Sequence, residues 1–461
     1  MKNSHFPLGK GRISRNAGSL DRPFPSLVAY TTLAPCFFTL FRRFSTIEQQ
    51  KNLVYFMVAS KTRPSFTISA PRWATALAGL ILGIAAGQPL AAQDAPTTKK
   101  YEELTVDATL KGQTEAIRAI LRQKTFQNDQ QRLLFDNYFT DYFFARWSVQ
   151  QDVALLTGHS YRPELRIFLR TTKSGEVYHR LNTLTLEVMK KLVAGNFHPA
   201  VRVNAVMTIG ELNVDDETFV PLPDALKELV SAAENTKYSY AIRVAAMIGV
   251  VRHVGANGLD EESRKSLTAA MLRLAAAEWP TDSAAVGQQW LLARTLETLG
   301  LLHSVGEKNA AFNVIFKAAG DAKLPLFVRT AAVDALGQLE YSGTSGVNVV
   351  ETTAALGEFA LAACDDELRR LEKGADSELR RRMIPPLNAV LFALTGDGVV
   401  NRMGIGPLAQ EAKLQTFLAE LRKTVADVRD QLDDAQNKDQ DMEPQVKSLR
   451  ESIDTWLKKK P

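Results

Sequence analysis

A helical phrase that occurs four times between residues 201 and 339 limits the possible folds more than any other feature of this chain. Each copy has an aliphatic residue, usually followed by Arg, and then small and aliphatic residues over the next two to three turns. The Arg position falls at Arg202, Arg243, Leu292 and Arg329, with steps of 41, 49 and 37 residues. Irregular self-similarity at roughly 40–47 residues is typical of stacked helix pairs. We therefore predict an all-α solenoid, which presents a long surface and is rarely organised around a catalytic pocket.

The spacing inside each copy supports a helix with one packing face. In the first copy Val201, Ala205, Ile209 and Leu212 follow steps of 4, 4 and 3, so they share one side of a helix. The same steps recur at Leu291, Thr295, Leu299 and Leu302, and at Val328, Ala332, Leu336 and Leu339. The small residue in the middle allows neighbouring helices to approach closely. The second copy ends instead at His253, which we expect to be a core residue.

The phrase resembles the second helix of a HEAT repeat, a pattern shared with bilin-lyase-type HEAT-like repeats, over roughly residues 190–345. The resemblance implies structural roles, with the Arg bonding neighbouring helices, at Arg202, Arg243, Arg329, Gly210, Gly300 and Gly337. Copy three departs from it with Leu292, and copy two has Val251 in place of the Gly. Together with His253, these departures mark the least regular part of the stack, where we first expect a binding surface.

An aromatic cluster precedes the repeats, in a region (residues 105–195) that is predicted to be helical but lacks the phrase. Its members are Phe135, Tyr138, Phe139, Tyr142, Phe143, Phe144 and Trp147. Much of this set falls at helical spacing on one face. The favoured interpretation is a pair of helices that closes the first end of the solenoid. The alternative is an exposed aromatic surface for a sugar or peptide, with Tyr138, Tyr142 and Trp147 as the binding residues.

The C-terminal part continues helically but changes type. Repeats over 196–345 are followed by further helical pairs over 346–405 and by amphipathic helices over 406–461. Apolar residues alternate in steps of 4 and 3 at Leu414, Leu418, Leu421, Val425, Val428, Leu432 and Ala435. A helical hairpin that caps the solenoid is the economical interpretation. A short coiled coil that forms a dimer through 414–435 is the alternative.

The N-terminal segments predict export. Residues 57–93 have a basic start, an apolar run over 74–86, and small residues before a cleavage site near Ala92. The apolar run is too short to span a bilayer comfortably, so a cleaved signal and a periplasmic or cell-envelope protein are predicted. An uncleaved 74–86 segment would instead anchor the chain to a membrane. Residues 1–56 are interpreted as a mis-assigned or disordered extension, and 94–104 as a linker.

The charge distribution argues against nucleic acid as a partner. The whole chain carries a formal net charge of +5. Residues 1–93 contain 11 Lys or Arg and 2 Asp or Glu, which leaves 45 basic and 49 acidic residues in the remainder. The body is therefore slightly acidic and offers no basic surface of the general kind that binds phosphate backbones.

No motif for catalysis, a metal or a cofactor stands out. The body has one cysteine, Cys364, which excludes an internal disulfide and is predicted to pack as a small apolar residue. Its five histidines lack the spacing of a zinc site. We therefore expect no catalytic residue, no cofactor and no metal.

The expected function is that of an exported, non-enzymatic scaffold that binds a protein or peptide partner. One alternative is a lyase-like enzyme, or an enzyme accessory, that holds a bulky ligand on the concave face. A membrane-tethered assembly factor is the other.

Overall fold

The computed structural model describes residues 100–157, 161–256, 258–277, 285–342, 344–374, 378–396, 404–434 and 441–461. These residues form sixteen α-helices and no β-strand, apart from two isolated bridges, Asn213 with Pro221 and Ser304 with Glu340. The prediction of an all-α fold is confirmed. The predictions for 1–56, for the leader 57–93 and for cleavage near Ala92 lie outside the described residues.

The N-terminal region contains four short helices and an irregular turn between them. The helices are α1 (Thr114–Leu121), α2 (Asp129–Asn137), α3 (Val153–Thr157) and α4 (Tyr161–Thr172). After α2 the chain continues through a π-helical turn, Tyr138–Phe143, and a 3-10 turn, Ala145–Ser148. The spacing of the aromatic residues predicted that much of the set lies on one face of a regular helix. The π-helical and 3-10 turns show that these residues do not lie on one regular helix.

Five helix pairs follow, each made of two neighbouring helices. They are α5 (Glu176–Ala194) with α6 (Pro199–Glu211), α7 (Pro223–Glu234) with α8 (Tyr240–Gly255), α9 (Glu261–Ala275) with α10 (Val286–Leu301), α11 (Ala310–Gly320) with α12 (Leu326–Gln338), and α13 (Val349–Glu372) with α14 (Leu379–Thr395). The fifth pair lacks the phrase. The repeats were predicted to begin at residue 196, since α5 lacks the phrase. In the structure α5 packs on α6, so the predicted boundary falls inside the first pair.

The pairs stack into two layers. The second helices, α6, α8, α10, α12 and α14, each pack against the next and form what we call the close-packed layer. The first helices, from α7 onward, form the other layer. One hydrophobic core runs through the described residues from Ile117 to Trp456. The solenoid predicted from the repeated phrase is the observed architecture.

Small residues set the spacing of the close-packed layer. A Cβ on Gly210 would lie 2.9 Å from the Cα of Gly249, and one on Gly300 would lie 2.7 Å from the Cα of Ala335. A Cβ on Gly337 would lie 2.7 Å from the Phe392 carbonyl oxygen. The backbones of adjacent helices thus touch at the glycines of the phrase. The second helix pair has Val251 where the phrase has Gly. Its Gly249, two residues earlier, contacts Gly210 of the preceding pair.

A hairpin of α15 (Ala412–Asp433) and α16 (Glu443–Leu457) ends the stack in reverse order. Here the first helix, α15, packs on α14 of the close-packed layer, and α16 packs on α13. Trp456 of α16 fills the space above Gly357, stacks on Phe417 at 4.1 Å between ring centroids, and donates a hydrogen bond to the Phe417 carbonyl. The apolar residues of 414–432 that were predicted to face a partner are buried within the chain. A dimer through 414–435 stays a prediction, and it would need this face to open.

The described N-terminal residues support the favoured interpretation of the aromatic cluster, a core, over the alternative of an exposed binding surface. Tyr138 is 2%, Tyr142 7% and Trp147 0% exposed, so these rings form a core and not an exposed binding surface. Removing so large an apolar cluster from water stabilises the folded state. The predicted linker, 94–104, is also attached to the body where it is described. The Glu102 amide donates to the Asn196 carbonyl and the Leu104 amide to the Ser148 hydroxyl.

Candidate functional site

The repeat arginines are structural residues that tie the two helices of a pair together. Arg202 Nε donates to the Val193 carbonyl at 2.9 Å, Arg243 Nε to Ala233 at 2.7 Å, and Arg329 Nε to Ala319 at 2.9 Å. Each acceptor lies in the last turn of the first helix of the pair, where carbonyls lack helical partners. Burial lowers the pKa of Arg243 and Arg329, yet the carbonyls and the negative end of the helix favour the cation.

Two of these arginines also contact the next helix pair. The Arg202 guanidinium lies 5.1 Å from the Tyr238 ring centroid, and that of Arg329 lies 5.3 Å from Phe359. The arginines therefore connect successive pairs as well as the helices within one pair. This geometry leaves them no role in binding a ligand.

Of the three departures from the phrase, Leu292 and His253 are buried and offer no binding surface, whereas Val251 is half-buried beside Arg252. Leu292 is 2% and His253 is 3% exposed, because both face the core of the stack. Burial lowers the pKa of His253 to about 4, with a further contribution from neighbouring Arg252. Its Nε2 is buried and has no hydrogen-bond partner in the described chain. The neutral imidazole is thus a core residue, as the sequence indicated.

An open cleft lies where α4 meets the start of the close-packed layer. It has a volume of about 190 Å³, and we call it the arginine cleft. Its walls come from α4, from α6, from one residue of α8 and from the loop after α6. The lining residues are Arg162, Leu165, Arg166, Leu169, Arg170, Thr208, Glu211, Leu212, Asn213, Asp216, Phe219 and Arg252.

The α4 wall carries three arginines at helical spacing. Arg162, Arg166 and Arg170 follow each other in steps of four, so they line one stripe of the helix. Glu211 of α6 accepts hydrogen bonds from Arg162 and from Arg166, the latter at 2.7 and 3.2 Å. One carboxylate thus connects side chains of α4 with α6.

The opposite wall is a rigid loop held by its own hydrogen bonds. Residues 212–222 form a narrow hairpin, and Asp215 accepts from the amides of Glu217 and Thr218 at 2.9 and 2.7 Å. Arg252 donates to the Gly210 carbonyl at 2.9 Å and to the Asn213 side chain. Phe219 has a φ of +57°, which is uncommon outside glycine, and it lies largely exposed at the cleft. The loop therefore presents an aromatic ring instead of burying it.

The electrostatics of the cleft are cationic. Four arginines face two carboxylates, those of Glu211 and Asp216. Burial raises the pKa of Asp216 and lowers that of Arg252, which shows that both groups are partly removed from water. The attraction between opposite charges is therefore stronger here than at the open surface.

Several large exposed apolar side chains lie on the elements that line this cleft. Among the described residues the large exposed apolar side chains are Leu133, Leu155, Ile167, Phe219, Val220, Tyr240 and Ile248. Ile167 is three residues from Arg170 on α4, and Ile248 is one turn from Arg252 on α8. We call Ile167, Phe219, Val220 and Ile248 the rim of the cleft.

The described residues include potential metal ligands and one thiol, that of Cys364. No group of three or more potential metal ligands comes together among them. Cys364 is fully buried, and burial raises its pKa to about 12, so the reactive thiolate is suppressed. No described helix has the length and apolarity that crossing a bilayer requires.

Sequence reasoning missed the cleft, although one signal for it was visible. The spacing of Arg162, Arg166 and Arg170 in steps of four predicts a basic stripe on one helix. Nothing in the sequence placed Arg252 opposite that stripe, or predicted that the loop would turn Phe219 outward. Comparison with protein-family models, with curated proteins and with solved structures gives no match.

Proposed function

We propose that this chain is an exported, non-enzymatic α-solenoid scaffold of the HEAT type that binds a protein or peptide partner at the arginine cleft and its rim. One observation carries the proposal: the exposed ring of Phe219 lines the cleft, and the other exposed apolar side chains of the rim lie on the elements that form its walls. Apolar patches edged by polar groups mark sites of protein association, and Arg and aromatic residues often contribute most to such binding.

The size of the cleft favours a partner's side chain over a free ligand. Pockets for small molecules usually measure about 300–1,000 Å³. At about 190 Å³, the arginine cleft is smaller than that range. At this cleft, the alternative of a lyase-like enzyme, or of an enzyme accessory that holds a bulky ligand, therefore has weaker support.

Site-specific photo-crosslinking in the native cells tests the proposal. A photoreactive amino acid replaces Ile167, Phe219 or Ile248 in turn, and matched controls carry it at exposed Lys317 and Glu358. We expect an adduct of the same partner from all three rim positions and none from the controls. Equal adducts from the control positions, or none from the rim, would contradict the proposal.

Export is part of the proposal and has a separate test. The apolar run over 74–86 and the small residues near Ala92 support a cleaved signal. Mass spectrometry of the native protein is expected to find a mature N-terminus close to residue 93. An intact leader in the membrane fraction would favour the membrane-tethered assembly factor instead.

A further inference from the structure

We infer that the arginine cleft binds an acidic side chain of the partner, presented next to an apolar residue in an extended segment. The inference rests on the proposed function and adds the chemical class of the bound group. It concerns the carboxylate that enters the cleft and the apolar side chain that covers its rim.

The first step is that the cleft has hydrogen-bond donors that the chain itself does not use. Arg170 makes no hydrogen bond or ion pair within the described residues, and it lies exposed beside Asp216. Because its guanidinium is exposed and lines the cleft, Arg170 can donate hydrogen bonds to an acceptor that a partner supplies.

The second step is that the geometry already suits a carboxylate. Glu211 accepts from both Nε and Nη2 of Arg166, the forked arrangement that carboxylates and guanidinium groups prefer. A partner's carboxylate on Arg170 would lie one turn further along the same stripe. Leu165, Leu169 and Phe219 provide apolar surface beside it.

The third step separates a carboxylate from a phosphate. Glu211 and Asp216 face the same space as the four arginines, so the lining carries a surplus of only two positive charges when all these groups are ionised. Glu211 already pairs with Arg162 and Arg166, which leaves the Arg170 guanidinium for a ligand. Its single charge matches one carboxylate, whereas the second charge of a phosphate would face Asp216 without a cation of its own. The volume of about 190 Å³ equals that of about six waters, at ~30 Å³ each, which is enough for one side chain.

Selection from a random linear peptide library, displayed on phage, tests the inference without a known partner. The full chain, its R166Q/R170Q variant and the control R273Q are each used as bait. Arg273 is an exposed, ion-paired arginine on α9, away from the cleft lining. We expect Asp or Glu next to an apolar residue to be enriched on the wild type and on R273Q, but not on R166Q/R170Q. Absence of acidic enrichment on the wild type, or its persistence on the double variant, overturns the inference.

Fluorescence anisotropy with the selected peptide measures the effect of each group. Changing its acidic residue to Gln or Asn, or changing the protein by R170Q alone, is expected to weaken binding about tenfold, as charge-assisted hydrogen bonds imply. Because Arg170 makes no ion pair, R170Q leaves the internal contacts of the fold intact. A phosphoserine peptide is expected to bind more weakly than the carboxylate peptide. Tighter binding of the phosphoserine form overturns the assignment.

The two proposals fail in distinguishable ways. If the partner binds elsewhere, the photo-crosslinks from Ile167, Phe219 and Ile248 are absent in the wild type. If the partner uses the rim but not the arginines, those crosslinks persist unchanged in R166Q/R170Q. Only loss of the crosslinks in the double variant, with retention in R273Q, agrees with both.

Discussion

Two kinds of interface between neighbouring helices occur in this molecule, and they are built in opposite ways. Between α10 and α12, and between α12 and α14, the backbones touch at Gly300 and Gly337. Between α4 and α6 the structure has an open cleft, and Glu211 of α6 accepts hydrogen bonds across it from Arg162 and Arg166 of α4. Close contact excludes water and leaves nothing for a ligand to replace. The polar gap keeps its charged groups within reach of a partner.

The largest expected effect comes from forcing a closed interface apart. In Gly337→Ala the new Cβ would lie 2.7 to 2.9 Å from backbone atoms of Phe392 and Ala393, which cannot rotate away. We expect a loss of about 3 kcal/mol in the free energy of unfolding, at the upper end for overpacking. Chemical denaturation measures it.

The matched control is Gly320→Ala at the end of α11, where an added Cβ meets nothing within 4 Å. This variant is expected to be as stable as the wild type or slightly more stable, because Ala favours a helix over Gly. Equal stability of both variants would mean that glycine does not set the spacing of the layer.

The same residue type is expected to behave differently at the two interfaces. Arg329→Gln removes a buried guanidinium that bonds the Ala319 carbonyl, so we expect a loss of about 2 kcal/mol in stability. Arg166→Gln at the cleft removes a half-exposed ion pair, worth about 0.5 kcal/mol. Thermal unfolding of both variants compares them. A similar loss for the two would remove the distinction between structural and available arginines.

Acid is expected to weaken the closed part of the stack through His253. Its pKa falls from 6.5 to about 4 on folding, so the folded state keeps it neutral while the unfolded state takes up a proton. The stability that this gives is fully present above the unfolded pKa and is lost as the pH falls from about 6.5 towards 4. Between pH 7 and pH 5 the loss is about 2 kcal/mol.

A variant pair isolates this effect from other titrating groups. His253→Gln is expected to lose less stability than the wild type over the same pH interval, whereas His179→Gln, at an exposed position, keeps the wild-type profile. Thermal unfolding at both pH values provides the measurement. Identical profiles for all three proteins would rule out His253 as the source.

A small effect on stability and a measurable effect on binding are expected from Glu211→Gln in the cleft. Its carboxylate is about one-third exposed and its ion pairs lie near the surface, so less than about 1 kcal/mol is lost. Removing this negative charge is expected to increase the affinity for the selected acidic peptide by about three- to tenfold. Anisotropy titration, with the exposed Glu358→Gln as control, measures the change. Weaker binding to Glu211→Gln would show that Glu211 organises the arginines instead of competing with the ligand.

The fold was predictable because its determinants are local and repeated. The spacing of apolar residues after Val201 and Val328 indicates the packing face of a helix. Gly300 and Gly337 indicate where two helices approach closely. The aromatic segment was harder, because a π-helical turn at Tyr138–Phe143 changes the direction of each ring. Apolar density predicted a core there, but exposure depends on α1 and α4 packing over it.

The cleft could be predicted only in part. Arg162, Arg166 and Arg170 share a stripe because helix geometry is periodic. The distance between α4 and α6, however, depends on tertiary packing, and so does the meeting of Arg252 with the loop after α6. The outward Phe219 depends on a backbone conformation that no side-chain pattern encodes. Sites that lie between elements are set by packing, which a linear pattern does not contain.

The reversed hairpin at the end of the stack fixes the length of the array. Every internal pair leaves an apolar ledge that the following pair covers, and α15 and α16 cover the last one with Trp456 over Gly357. An array closed in this way does not offer the ledge to a second molecule, so end-to-end polymerisation at this terminus is blocked. A stack lengthened by duplication would still need α15 and α16, or an equivalent hairpin, on its last ledge.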